Sequence, residues 1–482
     1  MRASSTQNSI VWIKETLTKG ISRLGYLYES RPRLFELTMA SAVFVLMMAY
    51  ALQRVGQPFV HDSLHYWNFA DSFLEDGDFS ITNYSSGLRG YFYPFMLLLI
   101  KSLGSGLGIG SKVFFFICSA LYFSLFAIYL IPWAFQTIFR WRIHLWGRAV
   151  IALLLFIFWR GHFLYPLTDF PAFTAMLIGT AFLAHSLINK TAPSLAFFIG
   201  FFISAALNIR PAYQLSLIVL IPFFLLLLYK LRIFKALQWT VYLLVGASLV
   251  LVPQLRINQT HFQVSSPWVL AHFVDEENLF VKQLFWGLST QKYETNIGEN
   301  YPSAAVVYED PLFDALPVNL VRDKTVTGYS KIITRYPLDV TISYFRHFFN
   351  GIDIFFPTPY VKNIFVNHTL FSAVNYLIWF LAILVLFRTE LARVDRVQLA
   401  GVLAVLAPVI LAIPLTVEVR FFLPVFILAY GAVAFAIDYP GLAASVLANK
   451  WTVLRAAALL ILWLLVCFTL SAATVEHLVL GP

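Results

Sequence analysis

Long apolar runs, separated by short polar segments, recur along most of this chain. Runs such as Leu215 to Tyr229 show no alternation of apolar and polar residues, so they are typical of helices and not of barrel strands. Lipid offers no hydrogen-bond partners for backbone polar groups, so the backbone N–H and C=O groups of each run must bond to one another within a helix. Since a helix needs about 20 apolar residues to cross a bilayer, the pattern predicts about eleven spanning helices, at residues 35–54, 111–135, 149–163, 170–188, 195–209, 212–229, 236–254, 369–387, 397–416, 419–437 and 453–475.

Composition supports the same fold class. The chain of 482 residues is 59% hydrophobic and only 12% charged, which is too apolar for a water-soluble fold of this size. We therefore predict an all-α polytopic membrane protein. Its formal charge of +9 falls in short connections between the apolar runs, so it carries topology information and predicts no nucleic-acid partner.

The basic residues set the predicted orientation. A cytoplasmic amphipathic leader at 1–34 places the short basic connections on the cytoplasmic side, as the positive-inside rule requires. A cleavable signal peptide ending near Ala49 and Ala51 is the alternative, which we reject because the basic region before it is too long. The opposite face then receives two large segments, 55–110 and 255–368.

This topology predicts two membrane modules, 35–254 and 369–482, joined by an extracytoplasmic insert at 255–368. The N-terminal module contains the first outer loop, 55–110. In that loop the apolar stretch Gly90 to Leu103 is too short to span comfortably, which predicts an interfacial or re-entrant helix. In the insert, Lys331 to Asn350 combines an apolar and a basic face, which is typical of a helix lying on the membrane surface.

Two aspartates stand at the ends of apolar runs on the predicted outer face. Asp62 begins a segment that we predict to be helical to about Leu74, and Asp169 begins the fourth span, two residues before Pro171. Each could be only a helix N-cap, because Asp is favoured there. A carboxylate that is partly desolvated at a membrane boundary can also act as a general base, and it is expensive there unless it has a task or a partner.

Four arginines accompany these acids on the predicted outer face, and they are Arg89, Arg160, Arg210 and Arg420. Each could simply extend its charge to the lipid head groups, and Arg420 could pair with Glu418. The alternative is phosphate binding, because the planar guanidinium holds two phosphate oxygens and neutralises a phosphate leaving group.

Several short motifs together resemble the GT-C superfamily of membrane glycosyltransferases. The nearest likeness is to the branch with protein O-mannosyltransferases, the lipid A aminoarabinose transferase and the rhizobial lipid A galacturonosyltransferases. The resemblance covers the membrane core but not the insert. It rests on the spacing from Asp62 to Tyr66, the segment Gly90-Tyr91-Phe92-Tyr93-Pro94, the Asp169 turn, and the motif Glu418-x-Arg420-Phe-Phe-x-Pro424.

The resemblance implies roles for residues at the matching positions. Asp62 would be the catalytic acid of the first loop and Asp169 a second acid near the acceptor. The donor phosphate would be bound by Arg420, with Arg210 and Arg89 as lesser candidates. The implied substrate-binding residues are His61, Tyr66, Tyr91, Tyr93 and Glu418.

Two departures from the family pattern bear on cofactors. Many members have two adjacent acids where this chain has Asp62-Ser63, which weakens any expectation of a metal there. The aminoarabinose transferase branch has Lys-Pro where this chain has Tyr93-Pro94, which removes one expected cation. Cys118 and Cys467 lie in predicted spans, so no thiolate metal site is predicted. We predict no cofactor and leave a divalent metal open.

The implied activity is transfer of a sugar from a polyprenyl-phosphate carrier to a lipid, glycan or protein acceptor, with inversion and with Asp62 as base. Besides these substrates, membrane lipids are the only predicted partners. The implied location is the inner (plasma) membrane of a bacterium, with the active site facing the periplasm or exterior. Two alternatives stay open, a ligase or polymerase of lipid-linked O-antigen and a secondary transporter.

Overall fold

The fold is mostly helical. A computed structural model describes residues 31–75, 77–189, 192–271, 278–317, 324–388, 395–437 and 450–479. The predicted leader therefore lies almost wholly outside the described residues. The helices, numbered in chain order, are α1 Pro32–Leu52, α2 His61–Phe69, α3 Phe92–Gly106, α4 Ser111–Leu125, α5 Ile131–Phe139, α6 Leu145–Trp159, α7 Asp169–Asn189, α8 Leu195–Ile209, α9 Gln214–Tyr229, α10 Ile233–Phe262, α11 Leu279–Ser289, α12 Leu312–Ala315, α13 Val326–Arg335, α14 Pro337–Ile352, α15 Thr369–Arg388, α16 Arg396–Ala412, α17 Leu423–Ala436 and α18 Lys450–Glu476.

Among the described residues, eight helical segments are long and apolar enough to cross a membrane. They are α1, α4 with α5, α7, α9, α10, α15, α17 and α18. A five-residue π-helical stretch, Phe126–Leu130, joins α4 to α5. The chain is thus a mostly helical, membrane-embedded protein.

The other three predicted spans fall in shorter helices. The apolar helices α6, α8 and α16 have 15, 15 and 17 residues. Such helices cover less than the roughly 30 Å of hydrocarbon that a span of about 20 residues crosses. The count of about eleven therefore stays a prediction.

Helices α7, α8 and α10 pack side by side in the N-terminal module. α8 and α10 approach closely because each has a glycine at the crossing: a Cβ at Gly200 would collide with the carbonyl oxygen of Leu243, and one at Gly246 with that of Phe197. Small residues permit such close helix contact inside a membrane. The crossing fixes the end of α8, where Asn208 and Arg210 lie.

The predicted insert differs from the sequence expectation in two ways. First, α10 continues to Phe262, past the predicted boundary at 254. Second, the segment predicted as one surface helix is two helices, because Pro337 cannot donate a backbone hydrogen bond and disfavours helical geometry at Tyr336. Leu338 and Phe345 of α14 are 76% and 72% exposed, so an apolar face does point outward.

The insert also contains a small β-sheet, which an all-α prediction does not include. Strand β3 (Thr290–Asn296) pairs antiparallel with β4 (Ala305–Glu309) and parallel with β5 (Tyr360–Val361). Two short strands of two residues each, β1 (Leu74–Glu75) and β2 (Asp78–Phe79), form an antiparallel hairpin within residues 55–110. The three-stranded sheet contacts two other segments: β5 contacts the start of α2 through Tyr360 and Ser63, and β3 contacts the segment before α17 through Tyr293 and Val417.

Candidate functional site

Asp62 lies in the first turn of α2 and not at its cap. The N-cap is Val60, whose backbone N–H donates to the Ser63 hydroxyl at 3.1 Å, so Asp62 is not the helix N-cap that the sequence left open as an alternative to a catalytic role. His61 has a positive φ of 48°, an uncommon backbone conformation for a side chain of this size. Such geometry persists where the surroundings enforce it, and functional sites are common examples.

The insert helps to hold this turn. The backbone N–H of Ser63, next to Asp62, donates to the Tyr360 hydroxyl at 3.0 Å. Tyr360 belongs to β5, and its ring packs edge-on against Tyr165 at a centroid distance of 4.6 Å. Strand β5 therefore reaches the start of α2, within residues 55–110.

Arg420 is the centre of the charged cluster. It lies in a short 3₁₀ turn, Val419–Phe422, that leads into α17. Its Nε donates to Glu418 at 2.6 Å and its Nη2 to Asp62 at 3.0 Å. Its Nη1 lies 3.9 Å from an Asp169 carboxylate oxygen. All three nitrogens of one guanidinium thus face carboxylates.

Two further arginines complete the cluster. Arg210 pairs with Asp169, whose side chain is only 3% exposed at the start of α7. The guanidinium of Arg210 also lies over the Phe421 ring, 4.6 Å from the centroid. Arg89 lies 3.7 Å from the other Asp62 oxygen. Three arginines and three carboxylates, far apart in sequence, therefore form one continuous network.

The network controls the charge of Asp62. Burial alone would raise the pKa of its carboxyl, but the positive charges of Arg420 and Arg89 outweigh burial and lower the pKa to about 2. Asp62 is consequently ionised at neutral pH. While it is paired with Arg420 it is a weak base, so any catalytic use requires that pairing to loosen.

The cluster lines a cavity of about 530 Å³. All six charged residues contribute to its wall, as do Tyr66 and Thr168. Apolar residues also line the cavity, from the 3₁₀ turn before α9, from α11, from α16 and the segment after it, and from α17. They include Ala212, Leu279, Phe280, Leu411, Leu415 and Pro424. A phosphate with an attached sugar and the first part of an apolar chain would find matching surfaces there.

A buried chain of amides supports two of the arginines. The Asn208 side chain donates to Gln254 at 2.8 Å and accepts from the backbone N–H of Phe92 at 2.9 Å. Gly90 packs so closely that a Cβ would collide with the carbonyl oxygen of Asn208. Because Arg89 precedes Gly90 and Arg210 follows Asn208 by two residues, this contact fixes the spacing between both cations.

The structure brings together most, but not all, of the residues predicted from sequence. Asp62, Asp169, Arg89, Arg210, Arg420, Glu418 and Tyr66 line the cavity. Tyr91, Tyr93 and His61 do not: Tyr91 donates to the Val250 carbonyl at 3.2 Å, Tyr93 packs on Tyr66, and the His61 ring lies 5.8 Å from that of Tyr360. Arg160 donates to carbonyls of its own helix.

Sequence reasoning missed the residues that the insert contributes. Tyr360 holds the turn at Asp62, and the backbone N–H of Tyr293 donates to the Val417 carbonyl at 2.8 Å, just before Glu418. Glu294, the next residue on β3, lies beside Glu418 and Arg420. Both its strand and its burial are known only from the structure, so no sequence signal pointed to it.

Within the described ranges, no group of three or more His, Cys, Asp or Glu side chains has the geometry to hold a metal ion. Asp62, Asp169 and Glu418 are each engaged by arginine. The cluster therefore suits an anion that competes for the arginines better than it suits a metal.

Comparison of the chain with protein-family models, with curated proteins and with solved structures gave no match. The resemblance to membrane glycosyltransferases therefore stays a prediction from the motifs of the sequence.

Proposed function

We propose that this protein is a membrane glycosyltransferase that moves a sugar from a polyprenyl-phosphate carrier to an acceptor on the non-cytoplasmic face. The observation that carries the proposal is the cavity. It combines three arginines and two candidate bases, Asp62 and Asp169, with apolar lining residues. Phosphate, sugar and lipid parts of one donor each have a chemically matching surface there.

The donor phosphate would enter a cluster in which every arginine already has a carboxylate partner. A phosphodiester can replace a carboxylate on a guanidinium, because both present two oxygens to the same pair of N–H groups. If the phosphate takes the Nη2 edge of Arg420, Asp62 loses its main cation. Its pKa then rises from about 2, and its carboxylate becomes a better base.

The chemical step follows from this exchange. Asp62 takes the proton of the acceptor hydroxyl, and the oxygen attacks the anomeric carbon from the face opposite the phosphate. The bond between that carbon and the phosphate oxygen breaks, and its electron pair leaves with the lipid phosphate. Arg420, with Arg210 and Arg89, neutralises the departing charge, and the sugar is inverted.

The placement of the charges favours this activity over transport. Asp169 begins α7, Arg210 follows α8, and Arg420 precedes α17, so the described charges of the cluster lie at helix ends. A transporter would be expected to place ionisable groups near the middle of its spans. A lipid-linked O-antigen ligase would depend on basic and histidine side chains of the outer insert and not on Asp62.

Lipid analysis of cells tests the proposal. Membrane lipids would be compared by mass spectrometry among cells with the native protein, cells without it and cells with Asp62→Asn. We expect both altered strains to accumulate one polyprenyl-phosphate sugar, which also identifies the sugar. Equal lipid-linked sugars in all three strains would rule the proposal out.

A further inference from the structure

A second, much smaller chamber lies behind Arg420. Its volume is about 20 Å³, room for a single water molecule. Glu418 and Arg420 form one side, and the insert forms the other through Tyr293 and Glu294 of β3. His162, between α6 and α7, also lines it, and its buried Nδ1 has no hydrogen-bond partner. The chamber thus connects the insert to the back of the charged cluster.

Glu294 is held only loosely by a cation. Its carboxylate lies 3.9 Å from the ammonium of Lys292, and its side chain is 11% exposed. Lys292 is fully buried and donates to the backbone carbonyl of Asp353 at 2.6 Å, with its nitrogen 3.1 Å from the centroid of the Phe355 ring. Lys292 is therefore shared among several groups and cannot fully neutralise Glu294.

The titratable and charged groups around Glu294 come from several elements. They are Lys292 of β3, Tyr308 of β4, Asp353 after α14, His162 after α6, and Glu418 and Arg420 before α17. Burial raises the pKa of Glu294 to about 7, with Lys292 opposing and Glu418 adding to the rise. Burial lowers the pKa of His162 to about 3, so His162 stays neutral in the physiological range.

The charge of the main cavity is balanced without Glu294. Three arginines and three carboxylates cancel, so a bound phosphodiester anion makes the site net negative by one charge. An ionised Glu294 would add a second negative charge, in the chamber that Arg420 also lines. In a partly buried site such a charge acts on its neighbours with little screening.

We propose that Glu294 sets the affinity of the cavity for its anionic donor. When Glu294 is protonated, the cavity binds the donor phosphate tightly. When Glu294 is ionised, its negative charge acts through Glu418 and Arg420 and weakens phosphate binding. This inference rests on the proposed function, because it needs a phosphate ligand at Arg420. Glu294 is a positioning residue here, since it acts through Arg420 and has no contact with the donor. One unit charge at this range is expected to change the affinity by about ten-fold.

The test is donor binding as a function of pH. The probe is a prenyl methyl phosphodiester, whose single negative charge stays constant between pH 5.5 and 8.5, measured with the full chain in detergent micelles. We expect its dissociation constant to increase about five-fold from pH 6 to pH 8, because a carboxyl with a pKa of about 7 completes only part of a ten-fold limiting change over this range. Glu294→Gln, which cannot ionise, should bind tightly and equally at both values.

Two further variants separate charge from structure. Glu309→Gln removes an exposed carboxylate from the neighbouring strand β4, outside the chamber, and should keep the native pH dependence. Glu294→Asp keeps a titrating carboxyl and should keep a pH dependence even if Glu294→Gln fails to fold. The inference about Glu294 would be overturned if the dissociation constant of the native chain did not change with pH, or if Glu294→Gln kept the native pH dependence. Either result would leave the proposed donor site standing. No binding at any pH would instead overturn the proposed donor site.

Discussion

Replacement of Arg420 by lysine tests whether its planar guanidinium is needed or only its charge. In the structure three nitrogens of Arg420 face three carboxylates, with Nε 2.6 Å from Glu418, Nη2 3.0 Å from Asp62 and Nη1 3.9 Å from Asp169. A lysine ammonium is one point charge and cannot serve all these directions, nor hold two phosphate oxygens in one plane.

The expected cost falls on activity. If Arg420 holds the donor phosphate, Arg420→Lys should lower the transfer rate about ten- to hundred-fold, which is about 1.4 to 2.7 kcal/mol of transition-state stabilisation. Stability should change little, because the charge remains. Arg420→Ala should also destabilise the fold, by about 3 kcal/mol, since it leaves the partly buried Glu418 without its cation and Asp62 with only the more distant Arg89.

The assay pairs initial transfer rates with thermal unfolding of the purified protein. Arg160→Lys is the matched control, because Arg160 lies near the same face but donates only to carbonyls of its own helix, at 3.1 Å and 2.6 Å. It should leave the rate unchanged. Native rates in Arg420→Lys, with equal destabilisation by Glu418→Gln and Arg420→Ala, would show that Arg420 acts only as a cation for its carboxylate neighbours and does not hold the phosphate.

Four other outcomes are expected. Asp62→Asn should abolish transfer with unchanged expression and helix content, measured by product formation and circular dichroism; near-native transfer would reduce Asp62 to a structural role. Tyr360→Phe keeps the ring but loses the acceptor for the first turn of α2, so kcat should drop about ten-fold with KM for the donor nearly unchanged; an unchanged kcat would contradict this. Gly90→Ala should lower both melting temperature and donor affinity, because its Cβ meets the backbone of α8; native values would refute that packing. A cysteine at Glu299 should react with an impermeant reagent outside intact cells and one at Lys14 should not, and the reverse would overturn the orientation.

The charged residues could be predicted because their positions stand out in an apolar sequence. Asp169, Arg210 and Arg420 each interrupt the pattern at the end of a run, and alternation of the runs sends those ends to one face. A charge at such a boundary is costly, so it signals a partner or a task. The pairing of Asp62 with Arg420, 358 positions away, needed the structure.

The insert could not be predicted in the same way. The contact between Ser63 and Tyr360 joins residues 297 positions apart, and strands as short as β5 carry almost no periodic signal. The division between α13 and α14 was readable, because Pro337 marks it. The number of spans stays open because α6, α8 and α16, with 15, 15 and 17 residues, are shorter than a full span.

Transfer in a reconstituted membrane tests the central claim most directly. Purified protein in liposomes would be mixed with an extract of the whole cell envelope of Asp62→Asn cells, which contains both the accumulated donor and the unmodified acceptor, and lipid-linked sugars would be followed by mass spectrometry. The native protein should consume one polyprenyl-phosphate sugar and release an equal amount of polyprenyl phosphate, whereas the Asp62→Asn protein should not. If neither protein consumed a lipid-linked sugar, or if both proteins consumed it equally, sugar transfer at this cavity would be contradicted.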